Sequence, residues 1–122
     1  MQRSDFDRLV EQAWRRIPRR FRRRVENVAI VIEDEPSPAL LHSLGLSPQR
    51  DTLFGLYQGV PLHRRGAAYG GALPDKISIF YGPLRRACLT PERIRTQVRK
   101  TVIHEIGHFF GLDDKTIRAL GY

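Results

Sequence analysis

The run from Thr90 to Gly111 places the strongest constraint on how this chain can fold. Thr90 is a good helix N-cap, Pro91 suits the first helical position, and Gly111 is a natural residue to follow a helix C-terminus. One continuous apolar stripe runs between them at helical spacing: Ile94, Val98, Val102, Ile106 and Phe109. The pattern predicts a helix over 91–110, and its apolar face must be covered by other elements.

Strands are the predicted cover for this helix. The segments "VENVAIVIED", "TLFGLYQGV" and "KISIFYG" are rich in β-branched and aromatic residues. The first has apolar residues on both faces, which favours a central strand. The glycine-rich segment 61–75 between the last two predicts a loop or hairpin crossing, with room for a short edge strand.

Three further helices are predicted around the sheet. An amphipathic helix over 5–17 begins after the N-cap Ser4, buries Trp14 and ends before Pro18. A short helical pattern covers 39–44, and "DKTIRALGY" forms a terminal helix. We therefore expect one domain, 1–122, of the α+β class: a small twisted mixed sheet of three to four strands packed against the long helix, with flanking helices.

The long helix carries the pattern H-E-x-x-H. His104 and His108 are four residues apart, so both imidazoles lie on one face and can bind the same metal ion. Glu105 lies about 100° around the helix from His104. That position lets it reach a metal-bound water as general base without being a ligand.

A catalytic zinc site needs a third protein ligand and an open fourth position. Gly111 allows the backbone to fold back after the helix, and Asp114 can then return a carboxylate oxygen to the metal. Asp113 lies one position off this register and ranks second. The prediction is one zinc ion per chain, bound by His104, His108 and Asp114.

Simpler interpretations of the same residues stay open. The two histidines can be surface or capped residues, Glu105 a solvated one, and either aspartate an N-cap of the terminal helix. His42 and His63 lie in loop-like contexts and are interpreted as surface residues without a partner. Gly107 is costly inside a helix, and close approach of a strand would explain it. A purely structural zinc site is disfavoured, because it needs neither Glu105 nor an open position.

The net charge of +8 comes from 21 basic and 13 acidic residues, and nine arginines fall within the first 24 residues. The cluster "RRIPRRFRRR" can bind anionic partners, but no nucleic-acid module accompanies it. A solvated helix face is therefore favoured over nucleic-acid binding. A single cysteine, Cys88, and the lack of a signal peptide or a membrane-spanning run lead us to expect a cytoplasmic protein without membrane contact.

The segment "HEIGHFFGLDD" resembles the zincin metallopeptidases that use an aspartate as third ligand. The segments "VAIVIED", "GLYQG" and "ALGY" resemble the small bacterial members built on a minimal zincin fold, and the resemblance covers nearly the whole chain. It implies a mixed sheet flanked by helices and peptide-bond hydrolysis at zinc.

The expected function is therefore a zinc metallopeptidase that acts on a peptide or protein through a zinc-activated water, with Glu105 as general base. An extended substrate would add to the sheet edge near the site. Four tyrosines are candidates for stabilising the oxyanion: Tyr57, Tyr69, Tyr81 and Tyr122. The alternative is a catalytically weak zincin-fold binding module, whose basic N-terminal surface binds an acidic protein or nucleic acid through Arg19, Arg20, Arg22, Arg23 and Arg24.

Overall fold

The computed structural model describes residues 1–69 and 73–122. The helices are α1 (Arg3–Arg16), α2 (Arg19–Arg22), α3 (Pro38–Ser43), α4 (Tyr81–Ala87), α5 (Pro91–Phe109) and α6 (Asp114–Ala119). The strands are β1 (Val28–Glu33), β2 (Gly55–Gln58) and β3 (Asp75–Phe80). Two short 3-10 turns, Leu62–Arg64 and Ala67–Tyr69, lie between β2 and β3. None of the described helices is long and apolar enough to cross a membrane.

The three described strands form a mixed sheet in the order β1-β3-β2. β1 runs parallel to β3, and β2 runs antiparallel to it, with Gly55 opposite Ile79. This confirms the α+β class with a small mixed sheet. The prediction that β1 is central was wrong, because β3 holds that position and buries Ile77 and Ile79 fully. Apolar residues on both faces of a strand indicate that its faces are covered, and they do not indicate how many neighbouring strands it pairs with.

The segment between β2 and β3, which had room for a short edge strand, contains the two 3-10 turns. Residues 70–72, which belong to the same predicted loop, lie outside the described residues. Within the described residues, therefore, the sheet has the lower of the two predicted strand numbers.

The long helix α5 confirms the prediction closely. The Thr90 side chain accepts a hydrogen bond from the Arg93 backbone N–H at 3.2 Å, and Pro91 is the first helical residue. Gly111 follows the helix with φ of 88°, a conformation that glycine adopts without strain. Its predicted apolar stripe is buried against α1 and the sheet.

The N-terminal region differs from the prediction in detail. α1 begins at Arg3, so Ser4 lies inside the helix, and the N-cap Gln2 makes no side-chain cap hydrogen bond. Trp14 is half-buried at the edge of the core. The short helices α2 and α4 were not predicted, and Tyr81 and Gly82, the end of the third predicted strand, belong instead to α4. In α4, Pro83 occupies the first turn, where its missing N–H costs no intrahelical hydrogen bond.

Two glycines bring the neighbouring elements close to the motif helix. A Cβ on Gly55 would lie 2.7 Å from Thr101 Cγ2, so β2 approaches α5 at the motif. A Cβ on Gly107 would lie 2.9 Å from Ile117 Cδ1. The partner of Gly107 is therefore the terminal helix α6, and the expected strand contact was wrong.

Candidate metal centre

The two motif histidines lie side by side on α5. Because they are one helical turn apart, their rings face the same space, with centroids 4.9 Å apart and an interplanar angle of 76°. Both side chains are partly buried, with 18% and 28% of their surface exposed for His104 and His108. The pair therefore presents two imidazoles at the floor of an accessible cleft.

Backbone carbonyls orient both rings. His104 Nδ1 lies 3.2 Å from the backbone oxygen of Tyr122, and His108 Nδ1 lies 2.9 Å from that of Leu112. A carbonyl oxygen only accepts, so Nδ1 of each neutral ring carries the hydrogen and donates it. The lone pair of each ring then resides on Nε2, as in metal-binding histidines whose other nitrogen is held by a carbonyl.

Asp114 completes a converging set of acceptors. Its Oδ1 lies 2.8 Å from His104 Nε2 and 3.0 Å from His108 Nε2. Because each ring carries its hydrogen on Nδ1, the lone pairs of His104 Nε2, His108 Nε2 and Asp114 Oδ1 face one another, and no proton lies between them. A cation there would compensate all three, and two imidazoles plus a carboxylate suit zinc.

Glu105 lies beside this set and is buried, with 6% of its surface exposed. Its Oε1 accepts a hydrogen bond from the backbone N–H of Tyr57 at 2.9 Å. Burial raises the pKa of the Glu105 carboxyl, and the adjacent His104 and His108 oppose that shift. Ligand atoms of His104, Glu105 and His108 all lie within 4.8 Å of one another.

Asp113, the second-ranked candidate ligand, has a different position. Its side chain accepts a hydrogen bond from the backbone N–H of Thr116 at 2.8 Å and so caps α6. The Asp113 cap sets where α6 begins. Gly107 has no Cβ, so it leaves a notch on α5 into which Ile117 of α6 packs. As a result, Asp114 in the first turn of α6 faces the histidines.

The four candidate tyrosines differ in their access to the site. The hydroxyls of Tyr57, Tyr69 and Tyr81 are engaged by Asp75, Asn27 and the Met1 carbonyl oxygen. Tyr122 lines the cleft, with 39% of its surface exposed. Within the described part of the chain, it is thus the cleft tyrosine whose hydroxyl makes no hydrogen bond to protein.

Two other candidate regions lie away from the histidine pair. His42 is exposed on α3, as predicted. The arginine cluster includes α2, where Arg20 stacks over the partly exposed Phe21 and Arg22 Nε donates to the Ile17 carbonyl oxygen. Binding of an acidic partner by this segment stays a prediction.

His63 was missed by the sequence reasoning. It is exposed, but its ring packs on Gly111, since a Cβ there would lie 2.4 Å from His63 Nδ1. It also lines the cleft of about 860 Å³ beside the candidate metal centre. The prediction of a surface residue is confirmed, and the packing of its ring on Gly111 is a contact that the sequence did not predict. Nothing in the local sequence indicates this contact, because the two residues are distant in the chain.

A second group of side chains, the Asp75 cluster, consists of Asp75, Tyr57 and Arg65. It supports β2, the strand whose Tyr57 N–H binds Glu105. Asp75 is 3% exposed and accepts hydrogen bonds from the Tyr57 hydroxyl at 2.5 Å, the Val60 backbone N–H at 3.1 Å and Arg65 Nη2 at 2.7 Å. Burial alone would raise the pKa of Asp75, but these three donors lower it. Burial, followed by the hydrogen bond to Asp75, raises the pKa of Tyr57.

Arg65 holds this cluster in place. Its guanidinium also donates to the backbone oxygens of Val60 and Glu26 at 3.0 and 2.7 Å, and it lies over the rings of Tyr69 and Phe109. In the sequence, Arg65 follows another arginine and has the pattern of a solvated surface residue. Its position beside Asp75 is visible only in the folded chain.

The chain is similar to known proteins in sequence and in fold. A family model described as a zincin-like metallopeptidase matches residues 25–122. A solved structure of a conserved hypothetical protein from T. thermophilus is similar, with a TM-score of 0.58 and 23% identity. That match covers 98% of this chain and 97% of the other. The likeness shows the fold alone. No curated protein matches the chain.

Proposed function

Because the chain belongs to the zincin-like metallopeptidase family, we propose that it is a zinc-dependent peptidase with Glu105 as general base. One observation carries the proposal: Asp114 Oδ1 lies within 3.0 Å of both imidazole Nε2 atoms, and buried Glu105 lies beside them. The proposed ligands are His104, His108 and Asp114, with one zinc ion per chain. A bound zinc ion supplies a Lewis acid and lowers the pKa of water to about 7.

Glu105 is suited to move a proton at this site. Tyr57 N–H holds its Oε1, and Oε2 makes no hydrogen bond with the described residues, so one oxygen is fixed and the other is available. Burial raises the pKa of the Glu105 carboxyl, which makes its carboxylate a stronger base. Glu105 takes the proton from water and passes it to the amine that leaves.

The edge of β2 supplies a place for an extended substrate. The pairing register and the hydrogen bond from Phe80 N–H to the Phe54 oxygen mean that Gly55 and Tyr57 direct their backbone groups away from β3. Tyr57 N–H is used by Glu105, which leaves the N–H and C=O of Gly55 and the C=O of Tyr57. A peptide that adds as a strand there passes directly over Glu105.

The proposal is tested by metal analysis and by peptide hydrolysis. Protein prepared without chelator is expected to retain about one zinc equivalent and to cleave members of a peptide library. Glu105→Gln should lower the cleavage rate by about 10²–10⁴-fold without changing zinc content, because only the proton transfer is lost. Glu92→Gln, an exposed change in the first turn of α5, is the matched control.

Protein that lacks zinc and also refuses added zinc would contradict the proposal. So would cleavage that continues at the original rate in Glu105→Gln. Loss of zinc from Glu105→Gln would show instead that Glu105 is itself a ligand.

A further inference from the structure

The end of α5 reverses the chain in a way that directs one carbonyl group at His108. Gly111, with φ of 88°, donates its N–H to the His108 oxygen at 2.9 Å. Leu112 N–H donates to the Gly107 oxygen at 3.0 Å. This pair of hydrogen bonds is a Schellman motif, which ends a helix with one residue in the left-handed conformation. The oxygen of Leu112 then lies 2.9 Å from His108 Nδ1.

The end of α6 repeats this arrangement at the other motif histidine. Gly121, with φ of 94°, donates its N–H to the Arg118 oxygen at 2.9 Å. Tyr122 N–H donates to the Ile117 oxygen at 3.1 Å, which completes a second Schellman motif. The oxygen of Tyr122 then lies 3.2 Å from His104 Nδ1. Two helix ends of the same kind therefore present one carbonyl oxygen to each imidazole.

α6 contacts the His104 ring at both of its nitrogens. Asp114, in the first turn of α6, lies 2.8 Å from Nε2, and Tyr122, after the last turn, lies 3.2 Å from Nδ1. Between them, Ile117 is buried and packs on Gly107 of α5. The His108 ring is held by its own helix, whereas the orientation of His104 depends on how α6 docks and ends.

We propose that Gly121 and Tyr122 are positioning residues of the candidate metal centre. The left-handed glycine places the Tyr122 oxygen where it accepts Nδ1–H of His104, so that Nε2 of this ring is available to zinc. The inference rests on the proposed function, since it takes His104 as a metal ligand. A Cβ on Gly121 would meet no atom within 4 Å, so Gly121→Ala perturbs only the backbone conformation, which other L-residues adopt with strain.

The chain contains a matched control for this substitution. α3 ends in the same motif, because Gly45 has φ of 73° and donates to the His42 oxygen at 3.0 Å, and Leu46 N–H donates to the Leu41 oxygen at 2.8 Å. A Cβ on Gly45 would also meet no atom within 4 Å. Within residues 1–69 and 73–122, the carbonyl oxygens that contact motif imidazoles are those of Leu112 and Tyr122, so Gly45→Ala adds similar strain without touching the rings.

Zinc affinity of the full-length variants is measured by competition with a zinc-binding dye. Gly121→Ala should weaken zinc binding by about tenfold, at the lower end of the range for residues that orient a ligand. Gly121→Asn should lose less, about threefold, because asparagine tolerates the left-handed conformation better than alanine does. Gly45→Ala should stay within about 1.5-fold of wild type. Circular dichroism and urea unfolding show whether each variant is folded.

NMR of the ring hydrogens supplies a readout that general destabilisation does not produce. In zinc-loaded, ¹⁵N-labelled protein, the hydrogen bonds to carbonyl oxygens should protect Nδ1–H of His104 and His108 from exchange with water. At saturating zinc, Gly121→Ala should speed exchange of the His104 hydrogen by about tenfold and leave that of His108 unchanged. Gly45→Ala should change neither.

Wild-type zinc affinity in Gly121→Ala would overturn the inference. An equal loss of affinity in Gly45→Ala would also overturn it, because the effect would then come from general destabilisation. A wild-type protein that refuses zinc defeats the proposed function and this inference together. A wild-type protein that binds zinc but cleaves no peptide defeats the proposed function alone, since the role of Gly121 is decided by zinc affinity and ring-hydrogen exchange.

Discussion

The Asp75 cluster and the candidate metal centre are two groups built around carboxylates, and one residue, Tyr57, joins them. The Tyr57 hydroxyl donates to Asp75, and its backbone N–H donates to Glu105. At Asp75 every neighbour is a donor, so the protein itself satisfies the carboxylate. At Asp114 the neighbours are imidazole nitrogens whose hydrogens are directed elsewhere. The first arrangement stabilises a fold, whereas the second is suited to bind a cation.

The largest expected effect is on the Asp75 cluster. Asp75→Asn removes the charge partner of Arg65, whose side chain is 9% exposed, and should lower the free energy of unfolding by about 3–5 kcal/mol. The loss should be the same with and without zinc, measured by urea denaturation with chelator or with added metal. Asp5→Asn, in the first turn of α1, is the control and should cost less than about 1 kcal/mol. A loss confined to the zinc-loaded protein would remove the contrast between the two groups.

The second largest expected effect is on zinc affinity, and it distinguishes the role of Asp114 from that of Asp113. Asp114→Ala should weaken zinc binding by more than the roughly 10–100-fold typical of residues that only orient ligands. Without zinc its free energy of unfolding should change by less than about 1 kcal/mol, because only a helix-terminal charge is lost. Asp113→Ala should do the reverse, costing about 0.5–2 kcal/mol as a lost N-cap while zinc affinity stays near wild type. Competition with a zinc-binding dye, together with urea denaturation, measures both quantities.

If zinc affinity follows Asp113 rather than Asp114, the ligand assignment is reversed. Similar zinc affinities in all three proteins would mean that the histidines bind the metal without either aspartate.

The smallest expected effect is the pH dependence of the Asp75 cluster. Folding lowers the pKa of Asp75 below its usual value of 3.8, so the unfolded chain binds this proton more readily than the folded one. The stabilisation is therefore fully present above that usual value and is lost as pH falls through the lower folded pKa. In zinc-free protein, the stability difference between wild type and Asp75→Asn should shrink on acidification below about pH 4. A difference that is flat in this range would mean that Asp75 has the same pKa in both states.

The local pattern of α5 was sufficient to predict most of the site. Thr90, Pro91 and Gly111 mark the helix ends, and the spacing of His104 and His108 requires a shared face on any helix. These are short-range properties, determined by residues within a few turns of one another. Pairing of β1 was not predictable in this way, because its apolar pattern is compatible with either an edge or a central strand.

The supporting residues required the folded chain. In the sequence, Arg65 is one more cation in a basic chain, His63 a loop histidine, and Asp75 the residue before a strand. Their contacts join segments that are distant along the chain, so no periodicity or capping signal encodes them. The choice between Asp113 and Asp114 also depended on how α6 packs into the notch at Gly107.

By itself the sequence determined the motif helix, its face of two imidazoles with Glu105 beside it, and the glycine that reverses the chain after it. Helical period and backbone freedom are local physics, and they act in any fold that accepts this segment. Only the tertiary structure decided that β3 is central, that Tyr57 links Glu105 to Asp75, and that Asp114 rather than Asp113 faces the two imidazoles. Burial and charge compensation depend on neighbours that the chain brings together only when it folds.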